Sequence, residues 1–147
     1  MRTPIASVLD DKGHDVWSVS PSATVAEAIQ TMTEKRCQAL LVLHEERVVG
    51  ILSERDCGRR VVLPGRDTAA VRVEEVMTSP VEYVSPDHTV GDCIWIMTEK
   101  RIGHLPVLEG DKLVGVVSTD DLLRSVVKTQ GALISHLEGY ISGKYPG

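Results

Sequence analysis

VWSVSPSATVAEAIQTMTEKRCQALLVLHEERVVGILSERDCGRRVV, residues 16–62, is matched without a gap by VEYVSPDHTVGDCIWIMTEKRIGHLPVLEGDKLVGVVSTDDLLRSVV, residues 81–127, at an offset of 65. Roughly 22 of the 47 aligned positions are identical, including the whole run MTEKR, which chance does not produce. A repeat of this length is one supersecondary unit made twice, each copy covering the other's apolar face. Ligands of such a pseudo-twofold module are to be sought in clefts between the copies.

Each copy opens with a short alternating run, Val16-Trp17-Ser18-Val19 or Val81-Glu82-Tyr83-Val84, which reads as a strand stopped by Ser-Pro. Thr24 followed by Glu27, and Thr89 followed by Asp92, carry the spacing of a capping box and so predict a helix start. Val25, Ala28, Ile29 and Met32, like Val90, Cys93, Ile94 and Met97, then fall at helical spacing and predict a core-facing stripe. The shared Glu-Lys-Arg places cations at the negative end of the helix dipole. Residues 39–43 and 104–108 read as buried strands, 48–52 and 113–117 as their hairpin partners, and a second helix follows each hairpin. The unit is strand, helix, strand, strand, helix.

At the end of the second hairpin strand stands Gly-apolar-apolar-Ser-x-x-Asp, as Gly50-Ile-Leu-Ser53-Glu-Arg-Asp56 and Gly115-Val-Val-Ser118-Thr-Asp-Asp121. Two readings fit this spacing. A Ser at the N-cap with an acid three residues on is a helix start that needs no ligand. Alternatively, an Asp at a strand-to-helix corner can accept hydrogen bonds from both hydroxyls of a ribose, while the helix N-terminus offers donors to a phosphate. Arg55, Arg59 and Arg124 lie close enough in sequence to neutralise such a phosphate, or are surface charges.

Residues 1–15 form an N-terminal lead-in. Residues 63–80 are a linker with a short helix at Val73 to Met77, and residues 128–147 hold an amphipathic helix marked by Leu133, Ile134, Leu137 and Ile141 before a frayed tail. A length of 147 residues at 42% hydrophobic supports a packed core. The net charge of -5, with no basic cluster, argues against a nucleic-acid backbone as partner. No stretch approaches a membrane span or a signal core. Cys37, Cys57 and Cys93 suggest neither a disulfide framework nor a metal site, and read as reduced thiols of a cytoplasmic protein. His14, His44, His88, His104 and His136 are scattered, and no Cys-His, Ser-His-Asp or Walker-type pattern is present.

The repeat, the Leu105-Pro106-Val107 strand and the paired Gly-x-x-Ser-x-x-Asp corners resemble a tandem pair of cystathionine β-synthase (CBS) domains over about residues 16–127. With the Gly139-Tyr140-Ile141 tail, the chain is similar to small bacterial signal-transduction proteins. The resemblance implies an α+β fold of two β-α-β-β-α repeats with pseudo-twofold symmetry plus a C-terminal helix. It also implies a regulatory, non-catalytic module that needs no cofactor, forms a homodimer, and binds adenosyl compounds such as AMP, ADP, ATP, NAD(H) or S-adenosylmethionine in two related clefts.

Carried over by position, one cleft would use Gln38, Ala39, Ser53, Arg55 and Asp56 with Val81 and Glu82 framing the adenine. Its twin would use Gly103, His104, Pro106, Ser118 and Asp121 with Val16 and Trp17. His104 is the candidate phosphate donor, or a structural histidine. Gln38, Ala39 and Leu41 stand where the second copy has Gly103, His104 and Pro106, so the two sites are expected to differ in affinity or in ligand. A nucleotide-processing enzyme and a purely structural dimerisation adaptor are the competing readings, and the downstream protein partner is not legible.

Overall fold

The two threonine caps form as their spacing predicts in the computed structural model, which describes residues 1–130. Thr24 Oγ1 accepts the Glu27 N–H at 3.1 Å and Thr89 Oγ1 accepts the Asp92 N–H at 3.1 Å, while each acid's carboxylate accepts the threonine N–H in return. They open α2 (Val25–Lys35) and α5 (Val90–Lys100). Both helices close on an arginine in the left-handed conformation, Arg36 at φ 54° and Arg101 at φ 55°. The shared MTEKR run is therefore a helix end and its reversal.

The chain divides into two units, Asp15–Tyr83 and Met1–His14 together with the chain from Val84. In the first, β1 (Ser18–Val19) lies parallel to β2 (Ala39–His44), which pairs antiparallel with β3 (Arg47–Ser53). In the second, β4 (His104–Glu109) and β5 (Lys112–Ser118) repeat the hairpin, with the same break in register one residue after the middle of the strand. The strand expected at residues 81–84 is reduced to a single parallel bridge from Val84 to Val107. Val84 alone is buried there, so only that residue of the alternating run has a face to fill.

The lead-in segments complete the cores. Helix α1 (Ile5–Lys12) buries Ile5, Val8 and Leu9 among Val90, Cys93, Leu105, Val107 and Val117 of the second repeat. Helix α4 (Val73–Val76), from the linker, buries Val73 and Val76 among Val25, Met32, Leu40 and Leu52 of the first. Each such side chain removed from water contributes about 1.5–3 kcal/mol. The close fit explains the glycine of the corner motif: a Cβ on Gly115 would stand 2.7 Å from Leu9 Cδ2, and one on Gly50 would stand 2.4 Å from Met77 Sδ.

The second helix of the repeat differs between copies. In the second copy it is α6 (Thr119–Thr129), which runs unbroken. In the first it is α3 (Glu54–Cys57) followed by a wide π turn over Gly58–Val62. Gly58 stands where the second copy has Leu123, and glycine is a poor helix former. The expected C-terminal helix beyond α6 and the Gly139-Tyr140-Ile141 tail lie outside the described residues.

Candidate functional site

Both Ser-x-x-Asp corners fold as helix caps. Ser53 Oγ accepts the Asp56 N–H at 3.1 Å, and Asp56 Oδ2 accepts the Ser53 N–H at 3.1 Å. In the second unit Ser118 Oγ accepts the Asp121 N–H at 3.2 Å, and Asp121 Oδ2 accepts the Ser118 N–H at 2.8 Å. The cap satisfies backbone donors that a helix start would otherwise orphan, at about 1 kcal/mol each. It also fixes the carboxylate at the strand-to-helix corner.

Around each corner the hairpin brings further predicted residues together. Ala39 is the cross-strand partner of Ser53, and the Gln38 carbonyl accepts the Glu54 N–H at 2.9 Å. His104 pairs likewise with Ser118, and the Gly103 carbonyl accepts the Thr119 N–H at 3.0 Å. Pro106 is buried in β4 opposite Val116, its carbonyl accepting the Val84 N–H at 3.0 Å. Proline there lacks the N–H that its counterpart Leu41 donates to the Trp17 carbonyl at 3.1 Å, so among the described residues β4 bonds the 81–84 segment through Val84 alone. Arg55 and Arg59 are exposed on the first corner helix, whereas Arg60 is spent on the Val76 and Met77 carbonyls at 2.7 and 3.2 Å.

Val81 and Glu82 belong to the first unit, as do Val16 and Trp17. Trp17 ties its carbonyl to the Leu41 N–H at 3.1 Å, and the Lys35 ammonium sits 4.6 Å above its ring centroid.

The electrostatics separate the two corners. Asp56 is half-buried; its Oδ2 lies 3.5 Å from the Thr78 hydroxyl, and among the described residues nothing bonds to its Oδ1. Asp121 is buried, and its Oδ2 accepts a second hydrogen bond from Lys12 Nζ at 2.7 Å while Arg124 stands 3.6 Å from Oδ1. Burial pushes the Asp121 carboxyl up, but the Lys12 ammonium and the Ser118 donors outweigh it and hold the carboxyl below its ordinary range. Burial likewise lowers His104, with Lys12 adding to the fall and Asp121 and Asp120 opposing it, so the ring is neutral at pH 7.

Lys12 and Thr78 were not anticipated as site residues. The signal was the lead-in: Pro4-Ile5 and Val8-Leu9 match Arg72-Val73 and Val76-Met77 in role, bridging Thr89 and Thr24 respectively, but at an offset of 68. A gapless alignment at 65 does not see it. Burial pushes the Cys57 and Cys93 thiols up to about 11 and raises Cys37, which keeps all three protonated at pH 7. Among the described residues no cluster of His, Cys, Asp and Glu could hold a metal, and no helix is long and apolar enough to cross a membrane.

The CBS domain family model matches residues 1–62 and 73–128, both lead-ins included. A mitochondrial CBS domain-containing protein of Arabidopsis thaliana is 31% identical over 97% of this chain and 74% of its own length. The structure of a protein with CBS domains from Burkholderia ambifaria superposes at a TM-score of 0.84, with 44% identity over 87% of this chain and 96% of that one. A CBS domain pair solved with 5′-methylthioadenosine and S-adenosyl-L-methionine shares the fold at a TM-score of 0.76 and 20% identity, over 88% of this chain and 99% of its own. The chain belongs to the CBS domain family and carries two such domains as a pair.

Proposed function

We propose that this CBS pair is a non-catalytic regulatory module that binds adenosyl nucleotides, AMP, ADP, ATP or NAD(H), at its two Ser-x-x-Asp corners. The observation that carries the reading is the carboxylate of Asp56, held by its cap at a strand-to-helix corner with one oxygen left to accept from a ribose diol. Gln38, Ala39 and Ser53 border it, and Arg55 and Arg59 lie near for a phosphate. The CBS pair seen with two adenosyl compounds supports the ligand class. Among the described residues catalysis finds no support: the thiols are protonated, and the Ser85 hydroxyl, though 3.0 Å from His88 Nδ1, shares that nitrogen with the Ser85 N–H, which donates to it at 2.9 Å in a local turn.

Thermal shift with AMP, ATP, NADH and S-adenosylmethionine tests the reading. Linkage requires about 2.7 kcal/mol of stabilisation at 100 times the dissociation constant. Absence of any midpoint rise at millimolar ligand would overturn nucleotide binding, and turnover in the same mixtures would overturn the regulatory assignment.

We propose further that the protein works as a homodimer in the cytoplasm. Trp95 at 65% exposure on α5, with Leu123 at 59% and Val127 at 42% one turn apart on α6, are apolar groups that a second copy would cover. Leu123→Asp is expected to lower the mass by light scattering to that of one chain; an unchanged mass removes α6 from the interface.

A further inference from the structure

Lys12 is part of neither corner motif, yet it makes two of the shortest polar contacts in its unit. Its ammonium donates to Asp121 Oδ2 at 2.7 Å and to the Val116 carbonyl at 2.7 Å, with the lysine side chain 28% and the aspartate side chain 8% exposed. Two flanking contacts hold the segment that delivers it. His14 Nδ1 lies 2.8 Å from the Val114 carbonyl, and Lys128 Nζ donates to Asp11 Oδ2 at 2.8 Å. The lysine is seated.

The corresponding place in the first unit is filled differently. Helix α4 ends at Val76, and the chain turns extended at Met77 so that Thr78 exchanges backbone hydrogen bonds with Ile51 at 2.8 and 3.1 Å. It therefore presents a neutral hydroxyl, 3.5 Å from Asp56 Oδ2, where the longer α1 presents an ammonium. A diol docks on a carboxylate through both oxygens. At Asp56 one oxygen has no partner among the described residues; at Asp121 one oxygen already takes two donors and the other faces Arg124. A neutral hydroxyl replacing an ammonium exchanges a charge-assisted bond between two ions for a weaker one and leaves the lysine to be solvated again.

We propose that Lys12 sets the selectivity between the two corners: it occupies the ribose position at Asp121, so that the Asp56 corner is the adenosyl site of the resting protein and the Asp121 corner accepts a ribose only when Lys12 leaves. The inference rests on adenosyl binding at these corners and adds a residue that decides which of them binds.

Calorimetric titration with AMP reads it directly, on the full chain, for wild type, Lys12→Met, Lys12→Gln and Asp56→Ala, with folding of each confirmed by circular dichroism. Wild type is expected to bind one equivalent per chain with measurable affinity, and Asp56→Ala to lose it. Lys12→Met is expected to gain a second equivalent, its affinity raised about tenfold or more over that corner in wild type. Lys12→Gln, which keeps a donor of shorter reach and answers the question should the Met variant not fold, is expected to give a smaller gain of the same sign. Two equal equivalents in wild type, or a second site that weakens when Lys12 is removed, would overturn the inference while leaving nucleotide binding intact. No binding by any variant would overturn both.

Discussion

The corner at Asp56 and the corner at Asp121 share a motif, a capping box and a hairpin register, and they differ in what meets the carboxylate. One is half-buried and faces a hydroxyl; the other is buried and faces an ammonium. Capping accounts for what the corners have in common. The distinction comes from α1 and α4, segments outside the repeat, so that duplicated sequence supplies equivalent scaffolds and unduplicated sequence differentiates them.

Truncating the aspartates should break the comparison most clearly. Asp121→Ala removes a cap and strands a partly buried Lys12, at an expected cost of about 2–4 kcal/mol, whereas Asp56→Ala removes little more than the cap, about 1 kcal/mol. Urea midpoints of the two variants measure the gap; equal losses would mean that Lys12 adds nothing. Next in size are Gly50→Ala and Gly115→Ala, each expected to cost about 1–3 kcal/mol by forcing Met77 or Leu9 out of place. If both were neutral, the lead-in segments would not be closely seated.

Acid separates the corners with a smaller effect. Because the Asp121 pKa is lowered in the fold, its stabilisation is fully present above the unfolded value of about 3.9 and is lost as pH falls through the folded value. Lys12→Met should flatten that limb of the stability curve; an unaltered acid limb would assign it to other carboxylates. His104 acts one range higher. Its lowered pKa means the unfolded chain takes up the proton first, so stability should fall as pH drops below about 6.5, and His104→Gln should remove that decline.

The smallest effect tests the hairpins. Glu45 and Glu46 both adopt positive φ, 51° and 66°, between His44 and Arg47, while the other hairpin uses Gly110 at 64°. Glu46→Gly should therefore stabilise the first hairpin by about 0.5–1 kcal/mol, and a loss instead would show that its glutamate makes a compensating contact.

The helices, hairpins and caps were legible in sequence because each rests on local chemistry: Thr24 and Thr89 at their caps, Met32 and Met97 on their stripes, Ser53 and Ser118 at their corners. The alternation at Val81 to Val84 overstates the strand, since Pro106 offers no N–H where Leu41 bonds Trp17 in the first copy, which leaves β4 a single bridge through Val84. The π turn at Gly58 and the role of Lys12 were not legible. The first depends on a single glycine within a helical pattern, and the second on a contact spanning 109 residues whose lead-in has its own offset. Long-range ion pairs leave no periodicity to read.

Titration of Asp56→Ala and Asp121→Ala with AMP is the most direct test of unequal corners. The expected result is that Asp56→Ala abolishes the measurable binding of wild type while Asp121→Ala leaves it within about threefold. Equal losses in the two variants, or a loss confined to Asp121→Ala, would contradict it.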